Sequence, residues 1–252
     1  MSGTDIQGMD LQGMNMEKKM EYWQIFSAVR TGEGHEAKGM LCQDRVCFKQ
    51  KDGLQIIALA DGIGNCDLNV IGTERVLDSL CSFFLKDYDE IMSCSEEEIR
   101  YASLFEVRDV IGSAAEEYSV SADTFSSTIL VVCINLNDQS YCSIHLGDGA
   151  VLYRKEGEYQ VLSYPANGIG KNQTYLTTSS NILQEIRVFR GSLERIEGFV
   201  LISDGVYGET DDSGKLGFRV EDIFQKGMVS RAAKDDQGII GFVRRAGKDI
   251  CV

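Results

Sequence analysis

The sequence predicts an α+β domain built in layers. Three observations carry this: apolar runs of strand length in both halves of the chain, two long stretches of helical periodicity between them, and no regular alternation of strand and helix. One run, Ile56-Ile57-Ala58-Leu59-Ala60, ends abruptly in Asp61-Gly62-Ile63-Gly64-Asn65. Consecutive apolar residues fit a strand covered on both faces, and Gly62 and Gly64 let the backbone turn sharply or approach a ligand closely. An ionised Asp at the edge of a core needs a cation, a metal or a set of donors, because desolvating a lone carboxylate costs several kcal/mol.

In chain order, residues 1–20 contain an imperfect repeat, Asp5-Ile6-Gln7-Gly8-Met9 and Asp10-Leu11-Gln12-Gly13-Met14, without periodicity. They read as a flexible tail, and residues 21–252 as a single globular domain. Tyr22 to Val29 predicts the first strand; Gly32, Gly34 and Gly39 make the next stretch a loop that ends at Gln43-Asp44, and a strand follows from Arg45 to Gln50. From Asn69 to about Lys86 the spacing of Val76, Leu80 and Phe83 predicts a helix. Ser95 and Glu98 form a capping box before a second helix, along which Val107, Val110, Ile111, Ala114 and Tyr118 recur at helical spacing. Four strands are then expected at Ile129–Asn135, Tyr141–Leu146, Ala150–Arg154 and Tyr159–Ser163. The connections Asn137-Asp138, Gly147-Asp148-Gly149 and Glu156-Gly157 are short enough for hairpins, which predicts an antiparallel meander.

A formal charge of −14 disfavours nucleic acid and anionic membranes as partners. No run approaches the roughly eighteen apolar residues of a membrane span, and the N-terminus lacks the apolar core of a signal peptide. The eight cysteines form no CxxC pair and fall within apolar patterns, so they read as reduced core residues of a cytoplasmic protein. The sequon Asn172-Gln173-Thr174 is then irrelevant to glycosylation.

The Asp61 design recurs. Phe199-Val200-Leu201-Ile202 leads into Ser203-Asp204-Gly205, Asp235-Asp236 precedes Gly238-Ile239-Ile240-Gly241-Phe242-Val243, and Asp148 lies in a glycine-flanked turn. Carboxylates from distant parts of the chain, each at the end of an apolar strand, suit hard divalent cations such as magnesium or manganese. No motif calls for a protein nucleophile: the chain lacks an Asp-x-Asp-x-Thr signature, a Cys-x5-Arg loop and a P-loop.

Ala60-Asp61-Gly62, Leu146-Gly147-Asp148-Gly149, Ser203-Asp204-Gly205 and Asp235-Asp236 fall in the order and spacing of the metal-dependent serine/threonine protein phosphatases, the type 2C or PPM family, which the chain resembles over roughly residues 24 to 245. Gly34-His35 with Cys42-Gln43-Asp44, and Asn172-Gln173-Thr174-Tyr175-Leu176-Thr177, resemble a compact bacterial branch of that family. The resemblance implies a four-layer sandwich of two central antiparallel β-sheets flanked by α-helices, with metals at one end. It also implies hydrolysis of phosphoserine and phosphothreonine on proteins by a metal-activated water at a binuclear manganese or magnesium centre, opposing a serine/threonine kinase.

By the same resemblance Asp61 bridges two ions, Gly62 offers its carbonyl to one, and Asp204 and Asp235 complete the other shell. Asp148 helps hold a weaker third ion, Asp44 is linked to the metals through water, and Asp236 supports the ligands from behind. As a turn-capping residue, Asp44 or Asp148 would have a purely structural role. His145, inside a strand, reads as a core residue; His35, near Asp44, is a candidate to face the site. Two departures stand out. Ile63 occupies the place where many relatives carry a histidine proposed to protonate the leaving group. Gly39, with Lys38 beside it as a candidate phosphate ligand, occupies the place of a phosphate-binding arginine. These departures leave open an alternative, a catalytically weak member used as a regulatory or phosphoprotein-binding module.

Overall fold

The structure is a computed structural model, and it describes residues 23–63, 67–166, 174–207 and 233–244. The chain forms β1 (Trp23–Arg30), the single-turn helix α1 (Glu33–Glu36), β2 (Arg45–Lys51), β3 (Leu54–Ala60), the long helices α2 (Leu68–Ser93) and α3 (Glu96–Tyr118), β4 (Ile129–Asn135) and β5 (Ser140–Leu146). It continues with β6 (Ala150–Lys155), β7 (Glu158–Ser163), α4 (Ile182–Glu185), β8 (Arg187–Ser192), β9 (Ile196–Ile202), the single-turn α5 (Asp204–Tyr207) and β10 (Gln237–Arg244). The tail expected over residues 1–20 lies outside the described residues.

Two five-stranded sheets result, in the orders β1-β10-β9-β6-β7 and β2-β3-β4-β5-β8, and every pairing between neighbours is antiparallel. This is the expected α+β sandwich of two antiparallel sheets with flanking helices. Strand periodicity sorts the apolar residues of β3 onto two faces. Ile57 and Leu59 join Leu130, Val132, Phe199, Leu201 and Ile240 in the core between the sheets. Ile56, Ala58 and Ala60 face the other way and pack under Val76, Leu80 and Phe84 of α2 and Val107, Ile111 and Ala114 of α3. The unbroken apolar run before Asp61 therefore reflects a strand buried on both faces, each large aliphatic side chain contributing about 1.5–3 kcal/mol.

Both long helices start as their sequences indicate; α3 runs to Tyr118, while α2 ends later than expected. The Ser95 hydroxyl accepts from Glu98 N, and the Glu98 carboxylate accepts from Ser95 N at 2.7 Å, a complete capping box for α3. Helix α2 runs to Ser93 rather than stopping near Lys86. Asp87 departs from helical geometry and kinks it, while Tyr88 and Ile91 beyond the kink are buried and hold the last turn down.

The expected meander is corrected. β4 and β5 form one hairpin and β6 and β7 another, but β5 and β6 belong to different sheets, so Gly147-Asp148-Gly149 is a crossover rather than a hairpin turn. Gly147 has φ +106°, and a Cβ there would stand 2.5 Å from Thr128 Cγ2; one on Gly149 would stand 2.7 Å from Leu130 Cδ1. Glycine is required because the chain squeezes from one sheet to the other through the packed end of the sandwich. The Glu156-Gly157 connection, with both φ positive, is the tight hairpin expected.

No helix among the described residues is long and apolar enough to cross a membrane. Six cysteines, Cys42, Cys47, Cys81, Cys94, Cys133 and Cys142, are free thiols. Cys133 and Cys142 face each other across β4 and β5 and are fully buried, as the core reading expected.

Candidate metal centre

Antiparallel registers bring strand ends of opposite chain direction to one end of the sandwich. Arg45 pairs with Ala60, and Ile202 pairs with both Ile239 and Ala150, so Asp44 before β2, Asp61 after β3, Asp148 before β6, Asp204 after β9 and Asp235-Asp236 before β10 converge there. Carboxylate oxygens of Asp61, Asp148 and Asp204 all lie within 4.8 Å of one another. Asp235 stands outside this trio, at the exposed rim, with Oδ1 accepting from Asp236 N at 2.9 Å. Asp148, to which the resemblance gives a weaker ion, thus sits in the tightest group.

Each carboxylate is held by local structure. Asp61 N donates to Thr128 Oγ1 and Thr128 N to Asp61 O, both at 2.9 Å, which fixes the end of β3 against the start of β4. Gly62 N donates to Gln43 O at 3.3 Å. A Cβ on Gly62 would lie 1.8 Å from Asn69 Oδ1, so only glycine lets the turn lie against α2. Asn69, fully buried, donates from Nδ2 to Ile63 O at 3.1 Å and to Ser126 O at 2.8 Å, and so staples the Asp61–Ile63 turn. Asp148 accepts from the Thr174 hydroxyl on Oδ2 and from the Tyr207 hydroxyl on its backbone carbonyl. Asn69, Thr128 and Tyr207 are supporting residues that sequence reasoning did not single out, and Ser203 was read only as part of the Ser203-Asp204-Gly205 motif. Their signals were weak ones: Asn69 lies at the start of a helix, Thr128 directly before a strand, and Tyr207 three residues after Asp204.

Asp44 is fully buried, accepts from Ser203 Oγ at 2.6 Å and meets the Asp61 carboxyl side by side. Burial first, and then the neighbouring carboxylates, push these acids up. Asp44 is raised to about 7, with Asp236 and Asp235 adding to burial against the lowering effect of Ser203. Asp204 is raised to about 7 by burial and then by Asp148, Asp235 and Asp44. Asp61 is raised well above the usual carboxylate range by burial, Asp44 and Asp204, and Asp148 is raised mainly by burial. Asp44 Oδ1 and Asp204 Oδ1 are buried without a hydrogen-bond partner. Crowded, oxygen-only, partly unsatisfied carboxylates are the donor set of a hard divalent cation, so the residues fit magnesium or manganese.

The remaining candidates divide. Asp236 is buried and accepts from Gly32 N at 2.8 Å, Gln43 N at 2.5 Å and His35 Nδ1 at 2.9 Å, binding the glycine loop to the start of β10. His35 therefore stands at the edge of the site. His145 does not: it is fully buried, with Nδ1 2.7 Å from Ser163 Oγ and Nε2 3.0 Å from Gly147 O, and burial followed by Arg187 lowers its pKa. Ile63 is 42% exposed beside Asp61-Gly62. Gly39 has φ +67°, a left-handed conformation that glycine adopts without strain. Lys38 lines a cleft with His35 and Asp235.

Two antiparallel sheets with a ring of carboxylates at one end define a class of protein that holds hard cations between strand ends. Residues 31–236 match the family Protein phosphatase 2C, and the chain belongs to that family, the metal-dependent phosphatases. No curated protein sequence matches it. Among solved structures it is similar to the S. agalactiae serine/threonine phosphatase, at 19% identity and TM-score 0.61, covering 89% of this chain and 100% of that one. It is also similar to the serine/threonine phosphatase Stp1 from Staphylococcus aureus, at 16% identity and TM-score 0.58 over 96% of this chain and 100% of that one. A third likeness is RsbX in complex with magnesium, at 19% identity and TM-score 0.55 over 91% and 98% of the two chains.

Proposed function

We propose that the protein is a phosphoserine/phosphothreonine protein phosphatase that works with two manganese or magnesium ions, a third binding more weakly. The observation that carries this reading is the convergence of Asp61, Asp148 and Asp204 within 4.8 Å at the end of both sheets. Asp61, the Gly62 carbonyl, Asp204 and Asp235 would hold the ions, and Asp148 would contribute to the weaker one. RsbX, a structural neighbour, is described in complex with magnesium, which supports the choice of ion.

Bound ions supply a lowered water pKa and a clamp for phosphoryl oxygens. The protein's own work is preorganisation. Thr128 and Asn69 hold the Asp61 turn, Ser203 and Asp61 hold Asp44 in reach of a proton, and Asp236 holds the loop that carries Gln43 and His35. In the metal-free protein burial raises Asp44 to about 7; cations bound beside it would favour its ionised form, an acceptor held in place by Ser203. The exposed Ile63 offers no proton to a leaving group, so aryl phosphates, which hardly need one, should turn over well relative to phosphoserine peptides.

A serine/threonine kinase would supply the substrates. The test is turnover of an aryl phosphate with added manganese, alongside calorimetric titration of the metal. Wild type should bind manganese and hydrolyse, and Asp61→Asn should lose both. Metal binding without turnover would instead favour the regulatory or phosphoprotein-binding reading that Ile63 and Gly39 raise.

A further inference from the structure

Beyond Asp235 lies an open cleft of about 190 Å³ lined by Gly34, His35, Lys38, Lys234 and Asp235. Its two walls are the α1 turn and the segment before β10. They are joined by Glu33 N to Ala233 O at 3.0 Å and Gly34 N to Lys234 O at 3.2 Å. Glycine makes this approach possible, since a Cβ on Gly32 would lie 2.3 Å from the Asp235 backbone carbon and one on Gly34 would lie 3.2 Å from Lys234 O. Asp236 pins His35 through Nδ1, which leaves Nε2 as the ring's free end and keeps that wall rigid. Lys38 and Lys234 have no ion-pair partner among the described residues, whereas Lys49 and Arg75 are paired with Asp78 and Glu117. Two ammonium groups without an ion-pair partner among the described residues share one cleft next to Asp235, a local concentration of positive charge that suits an anionic group.

We propose that this cleft is a specificity subsite for a second negative group on the substrate, so that the enzyme prefers phosphopeptides carrying an acidic residue next to the phosphorylated one. This rests on the phosphatase reading above. The reacting phosphate belongs over Asp61, Asp148 and Asp204, whose ions neutralise it. Asp235, at the rim of the carboxylate group, also lines the cleft, so the cleft adjoins the site where a side chain next to the phosphorylated one would reach. Lysine ammoniums are strongly hydrated point charges and suit a flexible carboxylate in an open cleft. Exposed pairs of this kind contribute little each, so two of them set a preference of about tenfold.

The test compares kcat/KM for two phosphoserine peptides, one flanked by Asp and Glu and one by Ala, in wild type and in the Lys38→Ala/Lys234→Ala double variant. Wild type should favour the acidic peptide about tenfold at low salt, with the ratio falling toward one at about 0.5 M salt. The double variant should show a ratio near one in both conditions. A wild-type ratio near one overturns the proposal. So does a double variant that loses both peptides equally, which would place the lysines on the reacting phosphate. If wild type hydrolyses no aryl phosphate, the phosphatase reading fails on its own. The subsite is then read by calorimetric binding of the same two peptides, where an equal affinity for both overturns it.

Discussion

Neutralising Asp61 should stabilise the metal-free protein while destroying its metal site. In the folded chain Asp61 lies against Asp44 and close to Asp204 and Asp148, and its carboxyl is raised well above the usual range by burial first and by Asp44 next. The cost can be scaled from its partner. Asp44 moves from 3.8 to about 7, and about three units at 1.36 kcal/mol each is roughly 4 kcal/mol of charging penalty once it ionises. That penalty comes from burial with Asp236 and Asp235, all of which Asp61→Asn leaves in place for Asp44. The substitution does remove the penalty of Asp61 itself, and an amide can donate to Asp44 without holding a titratable proton. The expected gain at pH 8 is therefore about 2–3 kcal/mol, or roughly 4–12 °C in melting temperature. Its pH dependence follows from the raised pKa values. Between about pH 4 and 7 the folded wild type keeps protons that the unfolded chain has released, so its stability recovers as the pH falls from 8. The advantage of Asp61→Asn should accordingly be largest at alkaline pH, shrink as the pH falls and vanish near 4. Thermal melts in chelator across this range, with manganese titrations by calorimetry, provide the check. A variant less stable than wild type at pH 8, or an advantage independent of pH, would refute the crowding argument, and unchanged manganese stoichiometry would sink the ligand assignment.

Asp236→Ala strips the acceptor from Gly32 N, Gln43 N and His35 Nδ1 and should cost about 3 kcal/mol in a urea melt; a loss below about 1 kcal/mol would mean those donors find other partners. Gly205→Ala places a Cβ 1.9 Å from the Asp236 carbonyl oxygen, a backbone atom that cannot step aside. It should destabilise by about 3 kcal/mol or more, measured in the same urea melt. His145 is buried neutral with its pKa held well below 6.5, so the stability it contributes is present above pH 6.5 and lost as the pH falls. The stability difference between wild type and His145→Gln should be constant above pH 7 and fall by up to about 1.4 kcal/mol per unit below 6.5; a pH-independent difference would show that the histidine titrates alike in the folded and unfolded chain.

The sequence by itself determined the local design. Apolar runs and helical periodicity located most of the strands, though not β8, and the two long helices; the Ser95–Glu98 pair marked where α3 begins, and Asp61, Asp204 and Asp235-Asp236 were legible as charges beside apolar runs. These are statements about residues close in the chain, where propensity and patterning act directly. Which strands share a sheet was not legible. A three-residue Gly147-Asp148-Gly149 link fits a hairpin and a crossover equally well by length. Only the pairing of β5 with β4 and β8, and of β6 with β9 and β7, decides that Asp148 crosses between sheets and joins Asp61 and Asp204 rather than capping a turn. The same holds for the supports around the site. The Asp236 carboxylate finds Gly32 and Gln43 about two hundred residues away in sequence, |i−j| = 204 and 193, and Lys234 meets Lys38 across one cleft. Such contacts arise when two sheets pack and their ends come together. Their energy lies in burial and shared hydrogen bonds between distant segments, and no local pattern encodes the distance between them.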